Sequence, residues 1–371
     1  MFRLELLPAE YGDALWIEYG DARSPRRVLI DCGTQMVYDR LKQRIAALPA
    51  RNRRFELFVV THVDLDHIGG ALALLRAHRD LGVEFRDVWF NGYVHLKPGG
   101  RVPPREDPDV LGPLQGEELT ETIVNLELPW NRAFDGGALV VPENGALPSR
   151  TLESGLKLTL LSPLQKQLDR LEPVWEKACK KAKIAPGGTT SADDDSLGEV
   201  EDQAEEDDQL GDPSVAALAA TAFKPDPAKP NGSSIALLAE FERKRMLLAA
   251  DAYAPVLLDS LRRLPQDAGG KLKIDAFKLS HHGSRKNTSA DLVRAVACPH
   301  YLVSTNGKQF KHPDLEATAR VIRHGGPGVT LSFNYRTEFN DMWESSRLQR
   351  GDHPYAARYP SGDESGIALE L

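Results

Sequence analysis

Cysteine is scarce in this chain of 371 residues. Cys32, Cys179 and Cys298 are the only three, and their wide, irregular spacing excludes both a disulfide framework and a cysteine-rich zinc site. Long apolar runs are lacking as well: no stretch reaches the roughly 18 consecutive apolar residues of a membrane-spanning helix, although 41% apolar residues suffice for a core. There is no internal repeat. The opening, Met1 to Leu7, has none of the basic, apolar and small-residue zones of a secretory signal and reads as a strand, so a soluble, cytoplasmic protein without a membrane partner is expected. Excess positive charge is also missing, since 46 Lys and Arg face 54 Asp and Glu, which at first sight disfavours nucleic acid. The average conceals a segregation. Residues 193–212 hold eleven of the acids and no Lys or Arg, leaving 43 acids against 46 bases and a body of about +3.

The length suits one domain with a large insert. Apolar runs at 2–7, 15–19 and 27–31, separated by turn-forming stretches, predict a strand meander. A helix over 36–48 and a doubly buried strand at Leu57–Val60 follow, then a helix over 68–78 and a strand over 83–90. Residues 98–148, rich in Pro and Gly, read as loops and a lid with one helical piece near 117–126. A strand at 156–161 and a helix over 164–182 precede residues 186–231, which have the composition of a disordered excursion. Order resumes with a hairpin at 234–241 and 244–250, a helix at 255–264, strands at 274–279, 301–304 and 329–333, and helices at 290–297 and 315–324. The expected division is therefore 1–185, a flexible acidic insert at 186–231, and 232–371, the two outer parts forming one domain. Strands alternating with helices after a meander predict an α/β fold, with chemistry at the C-terminal ends of strands.

Four potential metal ligands, His62, Asp64, Asp66 and His67, directly follow the buried strand. Crowding two carboxylates and two imidazoles on one loop would cost several kcal/mol in repulsion and desolvation unless a cation relieves it. A solvated polar turn is the bland alternative. Asp251 and the pair His281–His282 also end apolar strands, where a two-metal site needs a bridging carboxylate and a distant imidazole. For Asp251 alone, a helix N-cap before Tyr253–Leu264 is the competing reading.

At this point the chain resembles the metallo-β-lactamase superfamily, and within it the soluble hydrolase domain of ComEC-type DNA-uptake proteins and its free-standing relatives. The resemblance runs through Glu10–Ala14, Val28–Gly33, Thr61–Gly70, Asn231–Ile235, Leu247–Asp251, Lys278–Ser284, Asn306 and His312–Pro313. It implies an αββα sandwich carrying the acidic disordered insert and two divalent metal ions, zinc or manganese, with magnesium also compatible. His62 and Asp64 would bind the first, Asp66 and His67 the second, Asp251 would bridge, and His281 or His282 would complete the second. Asp66 and Asp251 would be the catalytic carboxylates. Asp64 replaces the usual imidazole, and the family's third ligand to the first metal has no evident counterpart; His95 is the substitute considered, against an incidental loop histidine.

Two loops are candidate substrate contacts. Ser284, Arg285 and Lys286, with Asn287 and Thr288, could hold a phosphate or simply cap a helix. Asn306, Lys308, Lys311 and His312 form a second polar loop, and Gly12–Asp13 is a third candidate or a plain turn. The expected function is a metal-dependent hydrolase, a phosphodiesterase or nuclease, with nucleic acid or another phosphodiester as partner. Aromatics beside Lys and Arg for base stacking are not evident in the sequence. The alternatives are a hydrolase of a small phosphoester or other ester, and a regulated module whose acidic insert docks a protein partner.

Overall fold

Phe2, Leu4 and Leu6 alternate with Arg3 and Glu5, so the first strand has one apolar face. This strand (β1, Phe2–Leu6) pairs antiparallel with β2 (Leu15–Tyr19), and β2 with β3 (Arg26–Ile30). β4 (Leu57–Val59) and β5 (Val88–Trp89) extend the sheet in parallel. In the computed structural model residues 1–100, 115–182, 184, 186, 214–267, 269–361 and 365–371 are described.

A second sheet begins with four antiparallel strands, β6 (Ser149–Thr151), β7 (Lys157–Ser162), β8 (Ala236–Phe241) and β9 (Lys244–Leu248). It continues in parallel through β10 (Ala276–Lys278), β11 (His300–Val303), β12 (Val329–Phe333) and β13 (Tyr355–Arg358). The last strand, β14 (Ile367–Glu370), returns to pair with β1 and gives the first sheet the order β14-β1-β2-β3-β4-β5.

Where both faces of a strand are apolar, period-two alternation sends the two sets to different cores. Leu4, Ile17, Val28, Leu57, Leu158, Leu237, Met246 and Leu302 meet between the sheets. On the outer face of the first sheet Trp16, Leu29 and Phe58 pack under α1 (Tyr38–Ala46), α2 (Leu65–Arg76), α3 (Gln115–Asn125) and α4 (Gln165–Lys181). Outside the second sheet lie the short helix α5 (Val215–Ala220) and, after the short helix α6 (Lys229–Gly232), which packs against α4, the helices α7 (Ala254–Arg262), α8 (Ala290–Arg294) and α9 (Leu315–His324). Phe277 and Tyr301 pack with Leu257, Leu292 and Val321 of the last three. The result is the expected αββα sandwich.

Some elements differ from the sequence expectation. The strand expected over 83–90 is two short pieces, because the Asp87 carboxylate draws in the N–H groups of Val88, Arg132 and Ala133 and the Trp89 indole. The excursion expected over 186–231 is structured from Ser214 onward: Ser214 caps α5, and the buried Arg320 guanidinium holds Thr221 O at 3.1 Å. The acidic stretch 193–212 and lid residues 101–114 lie outside the described residues. No helix among the described residues is long and apolar enough to cross a membrane.

Candidate metal centre

The site forms where strands of both sheets end on one edge. β4, buried along its length, runs into Thr61–Asp66, and α2 begins at Leu65, placing Asp66 and His67 in its first turn. Asp64 occupies the N-cap position without capping. Asp251 follows β9, and α7 takes Tyr253 as its N-cap residue, so Asp251 is not the cap. His281 and His282 follow β10 in left-handed backbone, φ 48° and 55°. Asp31 and Ala250 also adopt positive φ, 57° and 46°, so unfavourable conformations concentrate around one point.

That point is Asp251 Oδ2. His67 Nε2 lies 3.4 Å away, His281 and His282 Nε2 3.7 Å each, and His62 Nε2 3.9 Å. Asp66 Oδ2 stands 3.1 Å from His282 Nε2 and 3.8 Å from His67 Nε2, and Asp64 Oδ2 is 3.4 Å from His62 Nε2. The sequence-expected donors are therefore together, with His62, His67 and Asp251 in one potential metal-holding group and Asp66, His67 and His282 in another.

The other nitrogen of each imidazole is committed. His67 Nδ1 donates to Asp31 Oδ2 at 2.7 Å, and His282 Nδ1 to Ser304 O at 2.7 Å. Thr61 Oγ1 gives its proton to Asp31 and so accepts from His62 Nδ1 at 3.0 Å. His281 Nδ1 donates to Asn287 Oδ1 at 3.0 Å, and the Asn287 amide is held by Asp226 Oδ2. Such contacts fix the tautomer that leaves Nε2 free for a metal.

Burial by itself would lower the imidazole pKa values and raise those of the carboxyls. Mutual attraction wins: Asp251, Asp66 and Asp31 hold His67 well above the usual histidine range, and Asp251 and Asp13 push His282 up to about 9. Against the same burial, His67 and His282 keep Asp66 and Asp251 below the usual carboxylate range. The centre therefore demands positive charge, which a divalent cation supplies by displacing protons.

The residues fit a metal on two further counts. The Nε2 atoms of His67 and His282 face each other at 3.3 Å with both Nδ1 protons directed elsewhere. His62 Nε2 and Asp251 Oδ1 are buried without a hydrogen-bond partner.

With that geometry established, similarity to known proteins is informative. A family model for the metallo-beta-lactamase superfamily matches residues 12–141. The matched residues include the strand and helix start that carry His62, Asp64, Asp66 and His67. Together with the donor cluster this makes the chain a metal-dependent hydrolase. Among solved structures, a candidate metal-dependent hydrolase from Parabacteroides distasonis ATCC 8503 is similar, with a TM-score of 0.41 and 12% identity over 90% of this chain and 93% of that one. No curated protein matches.

Within this metallo-beta-lactamase-type centre the remaining candidates have distinct surroundings. His95 is not a spare ligand: its Nδ1 accepts from Gly92 N at 3.1 Å and its Nε2 donates to Gly136 O at 3.2 Å. Burial accordingly lowers its pKa to about 4. Ser284 is buried, and its hydroxyl accepts from Lys286 N. Arg285 reaches Glu316 at 2.9 Å, and Asn306 donates to Glu10 at 2.7 Å. His312 is buried beside His281, ring centroids 5.2 Å apart. Gly12 and Asp13 do approach the site. A Cβ on Gly12 would stand 1.7 Å from Asp66 O, and Asp13, ion-paired with the buried Lys278, lies 3.5 Å from His282 Nδ1.

Sequence reasoning gave no role to Asp31, Asp226 or Lys278, and read Asn287 as a phosphate contact or a helix cap rather than as the partner of His281. The readable signals were Asp31 and Lys278, each a charge at the end of an otherwise apolar run. Asp226 had none, since it sits in a Pro-rich stretch whose composition suggests disorder.

Proposed function

We propose that this hydrolase is a phosphodiesterase acting on nucleic acid. The observation that carries the reading is that two cation-bearing loops lie side by side against the donor cluster. Arg285 N donates to Asp314 Oδ2 at 2.6 Å and Asp314 N to Gly283 O at 3.1 Å, while His312 packs on His281. The first loop carries Arg285 and Lys286, the second the exposed Lys308 and Lys311. Cations bordering a metal centre suit a substrate that keeps negative charge on both sides of the cleaved bond.

His62, Asp64, Asp251 and His281 would hold one cation, and Asp66, His67, His282 and Asp251 the other. His281 then supplies the third protein ligand that the sequence pattern lacks. Asp64 in place of an imidazole hardens the first site and widens the choice from zinc to manganese or magnesium. When bound, such cations acidify a water and offset charge developing on phosphorus-bound oxygen. The chain's own part is positional. Asp31 fixes His67 and, through Thr61, His62; Ser304 O fixes His282; Asn287 fixes His281; Asp66 orients the attacking water.

The test is metal content followed by cleavage of linear, circular and single-stranded DNA with added manganese, magnesium or zinc, comparing the native chain with Asp66→Ala/His67→Ala. Two bound metals with cleavage lost in the variant support the proposal. Bound metals without nucleic-acid cleavage redirect it to a small phosphoester or other ester, and absence of bound metal overturns it.

A further inference from the structure

Beside the metal donors, residues 300 positions apart in sequence build a row of rings. His312 packs edge-on against His281 at 5.2 Å, Phe310 lies 6.2 Å beyond His312, and Tyr11, from the loop between β1 and β2, meets Phe310 at 5.8 Å and 82°. Phe310 and Tyr11 are partly exposed, whereas His312 is only 4% exposed. Neither ring nitrogen of His312 has a hydrogen-bond partner, and its Nδ1 stops 3.6 Å from Asp314. A buried imidazole left in that state sacrifices about 1–3 kcal/mol per unmade bond, a cost that a ligand can offset.

The loop bearing these groups is fixed before any ligand arrives. Asn306 is bonded through backbone and side chain to Glu10, Gly307 N donates to Thr305 Oγ1, and Lys311 N donates to Gly307 O. Gly307 and Lys311 both adopt positive φ, 73° and 56°, which turns the loop sharply enough to bury His312 while Lys308 and Lys311 remain exposed. A rigid aromatic surface flanked by ammonium groups, one ring from a metal donor, fits an unpaired nucleotide. A choline-type headgroup also stacks on aromatic rings, but the two lysines would repel it.

We infer that Tyr11, Phe310 and His312 form a nucleotide subsite in which an unpaired base stacks on Phe310 and Tyr11 and His312 contacts the substrate's polar groups, so that the preferred substrate is single-stranded. This rests on the nucleic-acid reading above and adds which nucleic acid is taken and where. Binding tests it independently of cleavage. The full chain, loaded with calcium, is titrated against a short fluorescent thymidine oligonucleotide and against an abasic oligonucleotide of equal length and charge, followed by anisotropy.

Wild type binds the base-bearing strand at least about 5-fold more tightly. Phe310→Ala removes that preference without changing affinity for the abasic strand, and Phe310→Trp restores it. Equal affinity of wild type for the two strands, a preference that survives in Phe310→Ala, or tighter binding of phosphocholine esters than of the oligonucleotide overturns the subsite. Base-dependent binding without cleavage of any DNA retains the subsite and removes the nuclease proposal instead.

Discussion

At the scale of single residues, buried charge decides most of what can be tested. Lys278 and Asp13 are both almost wholly buried and pair with each other across the two sheets. Removing Lys278 leaves Asp13, among the described residues, with His282 alone, 3.5 Å away, so Lys278→Met is expected to lose about 3 kcal/mol in denaturant unfolding, part of which Asp13→Asn recovers in the double variant. Asp314 gives a pH test. Burial would raise its carboxyl, but His312 and the Arg285 N–H hold it at about 2. A depressed carboxyl stabilises the fold above its unfolded pKa of about 4, and the benefit is lost as pH falls toward 2. Asp314→Asn is therefore expected to be about 2 kcal/mol less stable than wild type at neutral pH, the gap closing between pH 4 and 2 when unfolding is followed across that range.

At the scale of elements, the stretch from Ser214 to Gly232 is where composition and structure part. Its Pro- and Ala-rich composition suggests disorder as the charge of the preceding acidic run does, yet Arg320 of α9 bonds to Thr221 O, Arg285 O and Thr288 O, and thereby joins this stretch to the loop after His282. Asp226 then accepts from both Asn231 and Asn287, behind His281. Partners of this kind tune metal affinity by roughly 10–100-fold. Asp226→Ala is expected to weaken metal binding by that order while a deletion of 190–212 leaves it unchanged, measured by titration against a chelating dye. Equal losses in the two variants would assign the effect to the insert rather than to Asp226. The acidic run ends at Asp212, but composition does not announce order beyond it, because the bonds that hold residues 214–232 in place come from α9 and from the loop after β10.

For the whole molecule, the two sheets are joined at their ends by a centre in which carboxylates outnumber the charges that neutralise them without a metal. A cation bound by the native state alone stabilises it by mass action, about 2.7 kcal/mol at a concentration one hundred times its dissociation constant. Removing metal with a chelator is thus expected to lower the melting temperature, and restoring manganese or zinc to raise it again. A melting curve insensitive to both would mean that the centre closes on protons alone.

The sequence by itself determined the α/β layering and singled out, at the strand ends, the candidate donors His62, Asp64, Asp66, His67, Asp251, His281 and His282, because period-two burial and the cost of crowded charge are local properties. Tertiary structure alone decided the division between the paired histidines. Only folding places His282 against Asp66 and His67 while Asn287 turns His281 toward Asp251. It likewise brought Tyr11 to Phe310 and Asp13 to Lys278 across about 300 and 265 residues. Contacts at such separations leave no trace in composition or period, since each depends on how the two sheets are stacked.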